Sequence, residues 1–353
     1  MTDARSRPPR LARPARKLPT VAGPLVALLL ALAASLLPAT AEAACTPSGV
    51  AQINLGSTTS FDARAAQSVA GSGAGGLACT GILGLLNFQY IHVSVDSLEG
   101  RLVHESDGGE SIPFTLALSP GGVPLEEGTT SPNLAPGGLL SLGGSSGEVL
   151  LYVGLGAASN VKAGIYRGTV SLRWHYATCA SISALNICIG GWSLSPGVTQ
   201  SCLLGLCTLS TGSLPGAGTA VLLTITLVVT PDCRFTANDI DFGSAPFADA
   251  FGTVTGHIGI MCTKGQTYSV GLGAGNHYSG TRRQMASGAH RLQYDVYRPG
   301  GLVWNATDSR FEQATPAPGD IDQAFPYEAR IYPDQPTPPV GVYTDTLVVD
   351  VEF

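Results

Sequence analysis

The side chains that most often carry catalysis are scattered along this chain. None of its six histidines lies in an H-E-x-x-H spacing, which would indicate a zinc site. Asp239, Asp241 and Asp249 could suggest a cation site, but they lack the glycine and terminal glutamate of a calcium loop, which favours solvated carboxylates. The sequence therefore predicts a protein that is not an enzyme, with no cofactor and no metal.

The cysteines predict disulfide bonds. An even number in an exported chain favours disulfides, and a zinc site would need C-x-x-C pairs and nearby histidines, which this sequence lacks. The eight are Cys45, Cys79, Cys179, Cys188, Cys202, Cys207, Cys233 and Cys262.

The N-terminus predicts an export signal. Six basic residues precede an apolar run at 21–38, and Ala41-Glu42-Ala43 has the A-x-A pattern of a cleavage site. We expect residues 1–43 to be a signal peptide; Gly23 and Pro24 disfavour an uncleaved membrane helix. The remaining chain has 13 Lys and Arg against 23 Asp and Glu, a net charge near −10, so nucleic-acid binding is not expected.

The composition predicts an all-β protein. Only 12% of the residues are charged, and the chain has 45 glycines and 24 prolines. Such a composition disfavours long amphipathic helices and favours short strands joined by turns.

The mature chain contains a repeat, which predicts two domains. Each copy has a cysteine, a short apolar segment and then a Cys-Thr pair: Cys45, INLG at 53–56 and Cys79, and again Cys233, IDFG at 240–243 and Cys262. Further on, KAGIYRGTVSLRWHY at 162–176 is echoed by PVGVYTDTLVVDVEF at 339–353. We expect domains at 44–231 and 232–353, with disulfides Cys45–Cys79 and Cys233–Cys262, because only these cysteines are shared by both copies.

The copies differ at their ends. The first continues into a further strand, AVLLTITLVVT at 220–230, whereas the second stops at residue 353. We therefore expect two immunoglobulin-like β-sandwiches, of which the second lacks its last strand and is completed by a strand from another chain. The predicted strand beside the open groove begins at Val342, and its edge residues are Val342, Leu347, Val349, Val351 and Phe353. Since Cys45 follows the cleavage site closely, this chain is expected to have no strand of its own to donate and to end a fibre.

The second copy resembles a known family. CRFTANDIDFG, IMCTKGQTYSV, LQYDVYRPGG and PPVGVYTDTLVVDVEF, within 232–353, look like a spore coat protein U domain, the pilin module of archaic (Csu-type) chaperone-usher pili. A two-domain chain of this kind resembles the tip adhesin of such pili. The resemblance implies export through the periplasm to the cell surface, a periplasmic pilus chaperone, an outer-membrane usher, and an adjacent pilin subunit that donates an N-terminal strand.

Three loops are predicted at the end of the first domain farthest from the second, here called the distal pole. Strand alternation places there the loops after the second, fourth and penultimate strands. All three are unusually apolar, which suggests a surface that binds other surfaces. The candidate contact residues are Ile82, Leu83, Leu85, Leu86, Phe88, Leu139, Leu140, Leu142, Ile187, Ile189, Trp192, Leu194, Leu203 and Leu204; Leu134 belongs to the same loops.

The last of these loops, from Ala177 to about Gly218, contains four cysteines. They allow three pairings. Nested Cys179–Cys207 and Cys188–Cys202 bonds are favoured here, which would make a stiff hairpin tipped near Trp192.

The leading functional hypothesis is a pilus-tip adhesin that attaches to abiotic or host surfaces and promotes biofilm formation, as the resemblance implies. One alternative is a tip that binds carbohydrate, although the loops offer few aromatic residues. A second is a plain structural subunit, and the apolar segments could also be strand extensions buried in a larger core.

Overall fold

The computed structural model describes residues 44–80, 90–106, 108–134, 142–143, 148–179, 183–184 and 186–353. These residues form β-strands and three single-turn 3₁₀ helices, at Asp62–Arg64, Thr211–Ser213 and Ala248–Ala250, which confirms the all-β prediction. No helix in these ranges is long and apolar enough to span a membrane. The strands are β1 Ala44–Pro47, β2 Val50–Thr59, β3 Gln67–Thr80, β4 Tyr90–Leu98, β5 Arg101–His104, β6 Ser111–Ala117, β7 Leu142–Gly143, β8 Glu148–Leu155, β9 Gly164–Cys179, β10 Ser183–Ala184, β11 Ile187–Ile189, β12 Trp192–Leu194, β13 Gln200–Leu203, β14 Leu206–Leu209, β15 Thr219–Thr230, β16 Cys233–Thr236, β17 Val254–Cys262, β18 Ser269–Leu272, β19 Arg283–Ser287, β20 His290–Tyr297, β21 Phe311–Glu312, β22 Gln323–Ile331 and β23 Val349–Glu352.

The first sandwich is a single curled sheet folded over its own core. Its strands follow the order β1-β3-β8-β6-β5-β9-β15-β2. β4 also pairs with β9, on the same edge as β5 but farther along the strand. The two halves of this sheet enclose an apolar core that includes Ile91, Leu151, Leu172 and Trp174. The alternation of apolar and polar residues along the strands accounts for this arrangement, because successive side chains point to opposite faces.

β15 closes the first sandwich. It runs antiparallel to β9 over 11 paired positions and parallel to β2 on its other side. The sequence TAVLLTITLVVT is rich in β-branched residues, which favour the extended conformation. Every second side chain faces the core and is buried: Val221, Leu223, Ile225, Leu227 and Val229.

The second sandwich has two sheets. The larger has the order β16-β17-β22-β20-β19 and the smaller β21-β18-β23. Its core is built around Trp304, whose indole N–H donates to the Val270 carbonyl oxygen, and around aromatic side chains such as Tyr268 and Phe325. This core is separate from the core of the first sandwich.

A corresponding disulfide joins the first strand of each repeat to a later strand that pairs with it. Cys45–Cys79 links β1 to β3, and Cys233–Cys262 links β16 to β17, in each case between residues that face each other across an antiparallel pair. Both pairings predicted from the repeat are therefore confirmed.

The two sandwiches meet at the end where β15 leads into β16. Only Pro231 and Asp232 separate these strands. The buried hydroxyl groups of Ser60 and Thr263 lie 2.6 Å apart across the junction, and Lys264 Nζ lies 2.8 Å from Glu110 Oε1.

β9 starts near this junction and runs away from it. Lys162, just before β9, forms a bridge with Lys264 of the second sandwich, and the 16-residue strand ends at Cys179. A strand of this length spans roughly 50 Å. The end of the first sandwich at Cys179 is therefore its distal pole.

Candidate functional site

An open groove runs along the second sandwich. One wall is formed by residues 237–248 and the other by residues 337–347. The groove contains two cavities, of about 680 and 380 Å³, that share lining residues from both walls. Its floor consists of side chains from both sheets: Ile258, Leu272, Met285, Leu292, Tyr294, Val296, Tyr327 and Ile331.

The groove occupies the position that β15 fills in the first sandwich. There, β15 lies between β2, which contains INLG, and β9. In the second sandwich, the walls of the groove contain the repeated counterparts of those elements, IDFG and the C-terminal segment. Among the described residues, nothing lies between them.

Burial of matched residues reflects this difference. Tyr166, Val170, Leu172 and Trp174 of β9 face the core and are fully buried. Their counterparts in the repeat, Tyr343, Leu347, Val349 and Val351, face the second core but are only half-buried. The same inward-facing pattern is therefore present in both copies, but these side chains are less buried in the second copy.

The strand predicted from Val342 is wrong in its extent. β23 covers only Val349–Glu352 and pairs on one side with β18. Before it, Thr344 exchanges backbone hydrogen bonds with Ala286, and the Val348 carbonyl accepts one from the Gly273 N–H. The segment is extended but lacks the continuous ladder that β15 gives to β9.

The predicted groove-edge residues fall into two groups. Leu347, Val349 and Val351 face the core, whereas Val342 lines the groove but is exposed and Phe353 is exposed outside it. Sequence analysis missed Tyr343, although its alignment with buried Tyr166 in the repeat could have identified it.

Several chain segments meet at the distal pole. β4 begins at Tyr90, which pairs with Ala177, and β8 begins at Glu148, which pairs with Ala78. The described residues that flank the three apolar loops therefore lie at one end of the sandwich. Ile82, Leu83, Leu85, Leu86, Phe88, Leu139 and Leu140 lie outside the described residues, as does the side chain of Leu142 in β7.

The last distal loop forms a small sheet, here called the finger sheet, with strand order β10-β11-β14-β13. Its β13–β14 turn bears the most exposed apolar side chain of the sheet, Leu204, which is 95% accessible. Leu203 beside it is also exposed, as are Ile187 and Ile189 on β11 and Leu206 on β14. Leu206 was not among the predicted residues, although it lies in the same LLGL run.

The nested disulfide prediction for this loop is wrong. The bonds are Cys179–Cys188 and Cys202–Cys207. The chain turns back sharply between β13 and β14, so Cys202 and Cys207 face each other across a tight hairpin. Cys188 is then left within reach of Cys179 at the end of β9, with a Cα–Cα distance of 5.7 Å.

Trp192 does not form an exposed tip, contrary to the prediction. It is 6% accessible, pairs with Cys179 through β12, and its indole N–H donates to the Cys207 carbonyl oxygen over 2.9 Å. It belongs to a small core at the base of the finger sheet, against which Leu194 packs. Leu134 is likewise buried, in the main core of the first sandwich.

The described ranges contain no cluster of potential metal-ligating side chains. No group of three or more His, Cys, Asp or Glu side chains there could hold a metal ion. Asp239, Asp241 and Asp249 are all exposed.

An exposed sheet edge beside an apolar groove is a place where an extended segment of another chain can add as a strand. Residues 219–350 match the Spore Coat Protein U domain family, a match that begins within β15. None of the curated proteins matches the chain.

Among solved structures, the chain is similar to one in the CsuC–CsuE chaperone–tip adhesion subunit pre-assembly complex from archaic chaperone-usher Csu pili of Acinetobacter baumannii. The identity is 24%, the match covers 88% of this chain and 100% of that one, and the TM-score is 0.65. The CupB6 tip adhesin of Pseudomonas aeruginosa is 11% identical over 78% of this chain and 84% of that one, but its TM-score of 0.26 is too low to support a structural argument. The chain thus resembles an archaic chaperone-usher tip adhesin in its fold and in its C-terminal family match.

Proposed function

We propose that this protein is the tip adhesin of a chaperone-usher pilus, held in the fibre by a strand that an adjacent pilin subunit inserts into the groove. The observation that carries the proposal is the open groove at the place where β15 closes the first sandwich. A strand entering there would form main-chain hydrogen bonds with the groove edge and place alternate side chains on the apolar floor.

Assembly of this kind requires partners. Before the strand arrives, the exposed groove needs cover, which fits a periplasmic chaperone; export to the cell surface then proceeds through an outer-membrane usher. The similar solved chain belongs to a chaperone–tip adhesion subunit complex, which supports this assignment.

Adhesion is assigned to the distal pole. Exposed Leu203, Leu204 and Leu206 at the β13–β14 turn lie on a sheet braced by two disulfides. Burying apolar surface is worth roughly 25 cal/mol per Å², and many fibres binding together multiply a weak contact. The target would be an apolar surface, abiotic or on a host, and attachment to it would promote biofilm formation.

A pair of substitutions tests this assignment. Leu204→Asp should leave folding and pilus display intact, because exposed positions seldom contribute more than about 0.5 kcal/mol and Asp tolerates the positive φ of 51° found there. It should nevertheless reduce attachment to plastic. Trp192→Ala should instead destabilise the finger sheet by about 3–5 kcal/mol and reduce display itself.

Display and plastic binding are measured on the same cells, with antibody labelling of the pilus as the reference. Full display with undiminished attachment of the Leu204→Asp variant would contradict the adhesion assignment. A carbohydrate-binding tip predicts a different result: attachment of the variant to plastic stays unchanged, and soluble glycans inhibit binding of the pilus to cells.

A further inference from the structure

Residues 341–348, which include most of the C-terminal wall of the groove, lack the support that their counterpart in the first sandwich has. In the first sandwich, the corresponding part of β9 is hydrogen-bonded to β15 on one side and to β4 and β5 on the other. In the second sandwich, the described backbone contacts of this wall are those of Thr344 with Ala286 and of Val348 with Gly273. Something else must keep the wall in place while the groove is open.

A buried carboxylate stands at the middle of this wall. Asp345 takes the place of Gly168 in the repeat, and its side chain is only 2% accessible. Its Oδ1 accepts hydrogen bonds from the Asn276 backbone N–H at 2.9 Å and lies 3.3 Å from His277 Nδ1. Its Oδ2 accepts a hydrogen bond from the Tyr294 hydroxyl at 2.8 Å. We call these four residues the Asp345 clamp.

The loop that holds the carboxylate is shaped for it. Gly275 has a φ of 84°, and a Cβ at this position would lie 2.1 Å from Asp345 Oδ2. A side chain there would therefore collide with the carboxylate, so the close approach of the loop requires glycine.

Tyr294 connects the two walls of the groove. It lies on β20 of the larger sheet and lines the groove floor. Its ring packs edge-on against Phe242 of the opposite wall, with centroids 6.0 Å apart, while its hydroxyl binds Asp345. Burial and then the hydrogen bond to Asp345 raise the pKa of Tyr294, so the hydroxyl remains a donor at neutral pH. Tyr294 therefore contacts both walls of the groove.

We infer that Asp345 is a positioning residue. Before a donor strand enters, it holds the wall at a distance from Phe242 that leaves room for one strand. This inference rests on the proposed strand insertion. A groove that is already shaped loses less entropy on binding, so the clamp should strengthen the hold on an incoming strand. Once a strand is in place, its own ladder holds the wall and the clamp becomes less important.

The test uses full-length mature chain refolded with a labelled peptide of the β15 sequence, AVLLTITLVVT, carrying a lysine tag for solubility. Release of the label is followed after adding excess unlabelled peptide. The labelled peptide should dissociate about tenfold faster from the Asp345→Ala and Tyr294→Phe variants than from wild type. This is the effect expected from losing a hydrogen bond to a buried charge. Asp334→Asn, which alters an exposed carboxylate paired with Arg282, is the matched control and should behave like wild type.

A second measurement separates positioning from general stability. With the same strand tethered after Phe353, both clamp variants should melt within about 2 °C of wild type, since this corresponds to a small change in stability for a domain of this size. The inference would be overturned if the clamp variants released the peptide at the wild-type rate, or if they melted more than about 2 °C below wild type in the tethered form. Wild-type chain that takes up no peptide would instead contradict the proposed strand insertion. Tyr294→Phe keeps the ring against Phe242, so it remains informative if Asp345→Ala does not refold.

Discussion

The two sandwiches present the same pattern of inward-facing residues but differ in how the pattern is covered. β9 is a 16-residue strand because β15 hydrogen-bonds to one of its edges and β4 and β5 hydrogen-bond to the other. β23, its counterpart, has four residues and one partner. The apolar pattern alone therefore sets which side chains face inward, whereas the length of a regular strand depends on its neighbours.

The difference also affects the core. In the first sandwich, the inward side chains of β15 complete the packing, and the residues opposite them on β9 are fully buried. In the second, the equivalent space is a groove whose floor includes Met285 and Tyr294. A soluble protein seldom leaves such an edge and such an apolar surface open without a use for them.

The largest expected effect comes from weakening the strand that closes the first sandwich. Ile225→Ala removes a fully buried side chain at the centre of β15 and should lower the free energy of unfolding of the first sandwich by about 2–5 kcal/mol. Denaturant unfolding followed by tryptophan fluorescence measures this loss in the transition of the first sandwich, which contains Trp174 and Trp192.

Leu222→Ala is the matched control on the same strand. Leu222 is 45% accessible on the outer face, and its truncation should change stability by no more than about 0.5 kcal/mol. Equal effects of the two substitutions would mean that β15 does not close a core, and the comparison with the open groove would fail.

A smaller effect is expected at the junction of the sandwiches. Burial acts to raise the pKa of Glu110, but hydrogen bonds from Lys264 and from the Lys162 N–H, together with both positive charges, outweigh it and hold the pKa below its ordinary value of 4.5. A carboxyl group whose pKa is lowered by folding stabilises the folded state above its unfolded pKa. That stabilisation is lost as the pH falls through the lowered value.

Glu110→Gln should therefore reduce stability at pH 7, by about 0.5–1 kcal/mol because Lys264 is partly exposed. The difference from wild type should shrink as the pH falls below 4.5. Melting curves between pH 7 and pH 3 measure this change. Glu105→Gln, at a solvent-exposed pair with Arg167, is the control, and a loss that persists unchanged at pH 3 would rule out the ionic contribution.

The repeat made much of the fold predictable. Cysteines shared by both copies identified Cys45–Cys79 and Cys233–Cys262, and the strand at 220–230 with no counterpart in the second copy located the groove. These inferences succeeded because each copy served as a template for the other.

The finger sheet had no such template. Its cysteine spacing is compatible with three pairings, and only the tight β13–β14 turn selects Cys202–Cys207. A large aromatic residue such as Trp192 can serve equally as an exposed contact or as the core of a small sheet, and local sequence does not distinguish them. The Asp345 clamp was also unpredictable, because its members come from separate strands and loops.

Hydrogen exchange of the groove wall tests the central claim most directly. The β15 sequence is attached after Phe353 through a flexible linker, and amide exchange of residues 342–348 is compared with that of the chain without it. A strand that fills the groove should yield a soluble monomer in which these amides exchange at least about tenfold more slowly, since ladder formation protects backbone N–H groups. The chain without the strand should aggregate or exchange rapidly at these positions. A stable monomer whose wall is equally protected with and without the added strand would contradict the claim that the second sandwich awaits a strand from another chain.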